Sequence, residues 1–171
     1  MKRILIIGSG GAGKSTLARR LSKISGIPLI HLDRHYWRAG WHQTPKAEWI
    51  EDVAVLIASD QWIMDGNFDG SLDLRLSRAD TVVFLDMPRY LCFYRVIKRR
   101  LSFRGTNRPD MADGCNEKLD LEFLWWLWSY PNSDRTDCEA KIARAGGHVT
   151  VIRLHSAAQV EQFVAEFAIA G

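Results

Sequence analysis

The stretch GSGGAGKST, Gly8 to Thr16, packs four glycines into its first six residues and ends on Lys14, Ser15 and Thr16. Gly8, Gly13, Lys14 and Ser15 satisfy G-x-x-x-x-G-K-[ST]. The motif stands where its mechanism requires, between the apolar run RILIIG and a segment of helical period. Backbone N–H groups over Gly8, Ser9, Gly10, Gly11, Ala12 and Gly13 can converge there on phosphate oxygens. Lys14 can reach the terminal phosphates, and the Ser15 hydroxyl, with Thr16 beside it, is a ligand type for Mg²⁺. The start of the following helix adds its partial positive charge.

Outward from this loop, short apolar runs bounded by turn residues alternate with helical periods, the pattern of βα units around a parallel sheet. RILIIG is the first strand. Leu17, Ala18, Leu21 and Ile24 line one face of a helix from Lys14 that stops at Gly26. PLIHLD (28–33), WIMD (62–65), TVVFLD (81–86) and HVTVIRL (148–154) supply four further strands. Thr44-Pro45 reads as an N-cap with proline at the first helical position, opening a helix that carries Trp49, Ile50, Val53 and Ile57. Leu72 to Arg78 reads as a short helix, and Pro88 opens one that runs to about Leu101. Helices over 117–130 and 133–145 break at Pro131, and Ser156 with Gln159 makes a capping box for the last helix. Residues 102–115, SFRGTNRPDMADGC, lack apolar period and exceed what a connector needs.

The 171 residues, 47% apolar and 25% charged, suit one globular domain, 1–171, with a core of its own. No apolar run approaches the roughly 20 residues of a bilayer span, and ILIIG follows Met1-Lys2-Arg3 without a cleavage site of the signal-peptide kind. A cytoplasmic protein with no membrane partner is the expectation. Cys92, Cys115 and Cys138 form no CxxC pair and read as free thiols. A net charge of +3 demands no polyanion, but the charge is unevenly spread. Met87 to Arg108 holds seven Lys or Arg and no acid, whereas Pro109 to Glu139 holds eight Asp or Glu against Lys118 and Arg135.

The loop, read as G-x-x-G-x-G-K-S-T, together with IPLIHLD and WIMDGN, stands at spacings similar to those of nucleoside monophosphate kinases and related small-molecule kinases, over nearly the whole chain. More narrowly, HLDRHYW, WIMDGNFDGSLDLRL, TVVFLDMPRYLCFYRVIKRR, RPDMADGC and FLWWLWSYP resemble a bacterial P-loop family labelled DNA topology modulation proteins. The kinase resemblance implies an α/β, three-layer P-loop NTPase fold. Its five-stranded parallel sheet would have the order 2-3-1-4-5, flanked by helices, with a lid after strand 4 at about 102–116. It also implies ATP and Mg²⁺ as cofactors, and a small-molecule or nucleotide acceptor bound over about 34–60.

In that strand order Asp65, rather than Asp86, is the acid beside the phosphate loop and joins Ser15 in the Mg²⁺ shell; both acids end an apolar run, and pattern alone leaves the two open. Asp33, at the end of strand two, points to the same crevice and is the candidate base for an acceptor hydroxyl. His31 and His35 flank it at a spacing that aligns side chains only on a helix, so they are expected on strand and loop rather than as a metal pair. Tyr36, Trp37 and Trp41 follow, interleaved with Arg34 and Arg38, either to stack on an acceptor ring or to cover the helix at 45–58. Adenylate kinases follow their third-strand Asp-Gly with an aromatic residue, Pro and an acceptor-binding Arg. Asp65-Gly66-Asn67-Phe68-Asp69 departs from that pattern and speaks against AMP.

Arg95 and Arg99 lie one helical turn apart, ahead of the loop that carries Arg104 and Arg108. In monophosphate kinases such a segment is the lid, whose cations meet the charge spread over a transferring phosphoryl group, and Arg135 is placed to add another from the far side. The same basic run could instead bind nucleic-acid phosphates, in a nucleotide-dependent regulator or ATPase acting on DNA, RNA or a protein. The acidic stretch that follows, and the lack of a reading module, weigh against that. FLWWLW, Phe123 to Trp128, goes around more than one helical face and is expected chiefly as packing beneath the lid.

Overall fold

A computed structural model describes residues 1–103, 106, 110–115 and 121–170. The five apolar runs form one parallel sheet of β1 (Arg3–Gly8), β2 (Leu29–His31), β3 (Trp62–Asp65), β4 (Thr81–Leu85) and β5 (Thr150–Leu154). Their spatial order is β2-β3-β1-β4-β5, the 2-3-1-4-5 order expected from the sequence. Around it lie α1 (Lys14–Ser25), α2 (Leu32–Tyr36), α3 (Lys46–Leu56), α4 (Leu72–Leu76), α5 (Arg89–Ser102), α6 (Leu121–Ser129), α7 (Asp134–Ala145) and α8 (Ala157–Ala170). A two-stranded antiparallel ribbon pairs Trp37–Arg38 with His42–Gln43 between α2 and α3.

The strands read as unbroken apolar runs because both faces of the sheet are covered. Successive side chains point to opposite faces, so β1 contributes Ile4 and Ile6 to one core and Leu5 and Ile7 to the other. The first core closes against Leu17 and Leu21 of α1, Cys92 and Val96 of α5, and Phe163 and Phe167 of α8. The second closes against Trp49 and Val53 of α3, Leu72 and Leu76 of α4, and Cys138 and Ile142 of α7. The three cysteines are buried and unpaired. Among the described residues no helix is long and apolar enough to cross a membrane.

Several local expectations are corrected. Strand two ends at His31, where its pairing with β3 ends at Asp65, and the next five residues turn into α2, so Asp33 sits in a helical first turn rather than at a strand end. His31 and His35 therefore flank Asp33 across one helical turn. Thr44 is not the N-cap of α3, which starts at Lys46 behind Pro45; the Thr44 hydroxyl donates instead to the Tyr36 carbonyl at 2.7 Å and closes the ribbon. Ser156 caps α8 by accepting from the Gln159 N–H at 3.2 Å, but the Gln159 side chain reaches back to the His155 N–H at 2.6 Å, one residue earlier than a regular capping box. Of the expected helix over 117–130, residues 117–120 lie outside the described residues.

One buried side chain shapes the loop after β3. Arg75 of α4 is fully buried, and burial lowers its pKa to about 10, so it stays cationic at neutral pH. Its guanidinium donates to the carbonyls of Gly66 at 3.0 Å, Asn67, Phe68 at 2.9 Å and, from Nε, Ser71 at 3.4 Å. Five donors in a rigid plane suit this fan of carbonyls, which a lysine would satisfy only in part. Arg75→Met is expected to cost roughly 2–4 kcal/mol by leaving these carbonyls buried without donors. Urea unfolding should show a lower midpoint, and an unchanged midpoint would show that the loop holds its shape without the guanidinium.

Candidate functional site

The phosphate-loop motif spans the turn from β1 into α1 and is pressed between β4 and α5. At Gly8 (φ +141°) a Cβ would stand 2.4 Å from the Leu85 carbonyl oxygen, and at Gly11 (φ +75°) 2.4 Å from that of Cys92. Neither position admits a side chain. Gly13 precedes α1 and offers no side-chain cap, so the first N–H groups of the helix are left for a ligand. Lys14, Ser15 and Thr16 line a cleft of about 1250 Å³ at the carboxyl edge of the sheet. The Lys14 ammonium donates to the carbonyls of Gly8 at 2.8 Å and Ser9 at 3.0 Å. Burial lowers its pKa, while the charges of Asp33 and Asp65 act the other way.

The two acids that end apolar runs are placed differently. Asp65 lies on β3 opposite Ile6 of β1, nearly buried, with Oδ1 2.5 Å from His31 Nδ1. Asp86 follows β4 and pairs with Arg135 at 2.9 Å and with His155 at 3.4 Å. Asp33 lines the cleft with Lys14. Among the described residues no group of three or more His, Cys, Asp or Glu gathers to hold a metal ion unaided.

Asn67, between Gly66 and the strained Phe68, escaped the sequence reading. Its Oδ1 accepts from the Gly8 N–H at 3.0 Å, joining the loop after β3 to the first residue of the phosphate loop. The buried Arg75 behind it was equally unforeseen, as was the His31–Asp65 pair. The only available signals were an Asp-Gly-Asn after a strand and a lone arginine among leucines, neither of which specifies a partner.

Part of the cleft wall is aromatic. Rings run from Phe68 to Tyr36 (centroids 4.5 Å apart), Tyr36 to Trp37 (5.0 Å) and Trp37 to Trp41 (5.4 Å). Tyr36 and Phe68 also pack on Trp49 of α3, while Trp37, Trp41 and Phe68 line the cleft, so the cluster both covers the helix and faces the space. Trp41 (φ +66°) and Phe68 (φ +40°) are the two non-glycine residues with positive φ among those described, and both face this cleft. Residues 110–115 return onto the ribbon here. The Gly40 N–H donates to the Gly114 carbonyl at 3.1 Å, the Cys115 thiol donates to the Arg38 carbonyl at 3.2 Å, and Met111 and Cys115 are buried.

Arg95 and Arg99 both line the cleft from α5, and Arg95 donates to the Ala12 carbonyl at 3.1 Å. Arg135 does not line it; its guanidinium is directed to Asp86 and, at 3.5 Å, to Glu139. Arg104 and Arg108 lie outside the described residues. The inward rings of α6, Phe123 and Trp126, stack at 5.7 Å against the phosphate loop itself, where a Cβ on Gly10 would meet them at 3.1 and 3.3 Å.

No protein-family model matches the sequence, and no curated protein matches it. Solved structures do. A shikimate kinase from Acinetobacter baumannii in complex with shikimate aligns over 99% of this chain and 94% of its own, with TM-score 0.59 and 16% identity. Shikimate kinases from Bacteroides thetaiotaomicron (TM-score 0.58, 17% identity, 99% and 97% covered) and Aquifex aeolicus (0.51, 18%, 98% and 94%) align similarly. At these identities the likeness establishes the P-loop kinase-like fold.

The Asn67 contact sets an expectation that is independent of any acceptor. Asn67→Ala removes the acceptor of the Gly8 N–H and should weaken any binding of a phosphate ligand by this loop, probed with ATP, about tenfold, the scale of one lost hydrogen bond. Isothermal calorimetry measures this directly, and wild-type affinity in the variant would show that the loop is held by its own backbone.

Proposed function

We propose that the chain, 1–171, works as one P-loop domain and is an ATP- and Mg²⁺-dependent phosphotransferase that phosphorylates a hydroxyl of a small acceptor in the cytoplasm. The observation that carries this reading is that Lys14 and Asp33 line one cleft edged by the phosphate loop, with the charge of the buried Asp65 also acting on Lys14. A solved structure of the same fold holds shikimate, which supports a small-molecule acceptor.

The residues present fit the cofactors. Loop positions that admit no Cβ, and uncapped N–H groups at the start of α1, suit phosphate oxygens. Mg²⁺ usually keeps several waters and takes only one or two protein oxygens beside phosphates, so Ser15 and Asp65 suffice without a larger cluster. When bound, ATP supplies the phosphoryl group and Mg²⁺ its countercharge.

In this reading Lys14 neutralises the terminal phosphates, trading loop carbonyls for phosphate oxygens. His31 holds one oxygen of Asp65 and so fixes the direction of the other. Asp33 orients the acceptor hydroxyl and accepts its proton as the new O–P bond forms. The aromatic wall at 36–41, within an acceptor segment over about 34–60, excludes water from that hydroxyl. Arg95 and Arg99, with Arg104 and Arg108 of the segment at about 102–116, meet the developing charge as a lid closes. Arg135, held by Asp86, takes part only if that pair opens.

A phosphoryl-transfer screen of nucleosides, monophosphates and hydroxylated metabolites tests the reading, with ADP formation above a no-acceptor blank as the positive result. Absence of acceptor-dependent ADP from the whole panel, in protein that binds ATP, counts against it. Lys14→Ala should lower ATP affinity at least roughly tenfold in a folded protein. With an acceptor in hand, Asp33→Asn should keep ATP affinity and slow transfer by roughly 10²–10⁴. Loss of ATP affinity with no separate rate effect would place Asp33 in the metal shell instead.

A further inference from the structure

Helices α5 and α6 each have two working faces. Inward, α5 sends Arg95 and Arg99 to the cleft and buries Cys92 and Val96, while α6 lays Phe123 and Trp126 on the phosphate loop. Outward, α5 presents Tyr90, Tyr94, Ile97 and Leu101, spaced i, i+4, i+7 and i+11, which is one continuous stripe on a helix. The outward face of α6 presents Leu121, Trp125 and Trp128 at i, i+4 and i+7. Tyr90 is 75% exposed, Leu121 84% and Trp125 72%. Seven of the twelve exposed large apolar or aromatic side chains among the described residues stand on these two helices.

The stripes adjoin. Trp128 lies edge-on to Phe93 with centroids 6.1 Å apart, and the Arg89 guanidinium sits 4.8 Å over its ring. At roughly 150–250 Å² for a whole aromatic side chain, and less for Leu or Ile, the exposed fractions add up to on the order of 900 Å². That exceeds the roughly 300–600 Å² of the largest apolar patch on a typical monomer and matches the roughly 800 Å² that each partner contributes to a stable interface.

We propose that this two-helix face is the docking surface for a second copy of the chain, in a twofold dimer. The argument for a second copy is the charge at the rim. The start of α5 meets the end of α6, where Trp128 lies against Arg89 and Phe93, and helical periodicity puts exposed Lys98 beside the α5 stripe and exposed Glu122, which also lines the cleft, beside the α6 stripe. In this dimer the twofold axis lays α5 of one copy on α6 of the other, apolar stripe on apolar stripe, and brings Lys98 of each copy to Glu122 of the other. Lys98 and Glu122 then pair across the twofold in both directions, as an isologous contact requires. The arginine-bearing helix of each cleft is thereby backed by the other subunit.

Sedimentation velocity of the full chain over a concentration series tests this. The wild type should dimerise at micromolar concentration. Tyr94→Glu combined with Trp125→Glu should raise the dimer dissociation constant at least tenfold with far-UV circular dichroism unchanged, and Tyr94→Glu alone serves if the pair misfolds. Lys98→Glu should weaken the dimer, and adding Glu122→Lys should restore it. A wild type that stays monomeric throughout overturns the proposal, as does a dimer indifferent to these substitutions. Binding of a monomer to phosphatidylserine–phosphatidylcholine vesicles through the same residues would overturn it in favour of a lipid surface.

Discussion

A guanidinium buried among backbone carbonyls governs the shape of the site. Arg75 gathers the carbonyls of Gly66, Asn67 and Phe68, which would otherwise diverge, into one fan around a planar cation. The turn it imposes puts Phe68 at positive φ and aims Asn67 at Gly8, so a charge in the core fixes the position of the first N–H of the phosphate loop. Burying such a cation is costly, and the carbonyl dipoles offset that cost because all three guanidinium nitrogens donate to carbonyls. The outer side of the same turn is tied down as well, since Lys141 of α7 donates to the carbonyl of Asp69 at 2.7 Å and to its carboxylate at 2.6 Å.

The helices that follow β4 answer to two demands at once. A helix that serves only a core shows one apolar stripe, yet α5 and α6 are apolar or aromatic on their outward faces as well. This accounts for FLWWLW, whose apolar residues go around the helix: Phe123, Trp126 and Leu127 face the protein, while Trp125 and Trp128 face out. The cationic side chains of α5 are similarly partitioned, with Arg95 and Arg99 turned to the cleft and Arg89 laid on Trp128.

The strands and their order were legible because each is a short apolar run between turn residues, and because the kinase resemblance chose among the possible orders. The glycine-rich turn between β1 and α1 was legible from spacing alone, since its shape rests on Gly8 and Gly11, where no side chain fits. Other features were not. Whether Asp33 ends a strand or begins a helix depends on where β2 loses its partner, a tertiary fact. Thr44 and Pro45 carry the chemistry of a helix start, but closing the ribbon onto Tyr36 made better use of the hydroxyl. Asp65 and Asp86 have the same local pattern and were separable only by neighbours distant in sequence, His31 for one and Arg135 with His155 for the other. Arg75 looks in sequence like a surface cation on a short helix, because burial of a charge is set by carbonyls that the sequence does not display.

The return of residues 110–115 onto the ribbon bears on the wall of the cleft. Two hydrogen bonds and two buried side chains, Met111 and Cys115, hold this segment against the ribbon, whose first strand carries Trp37 and whose turn carries Trp41. Pinning the chain at 110–115 shortens the span from α5 to its next fixed point, and a shorter loop costs less entropy to close. The tryptophan wall of the cleft and residues 110–115 are thus one packed unit, and a substitution that loosens Met111 or Cys115 would loosen the ribbon as well.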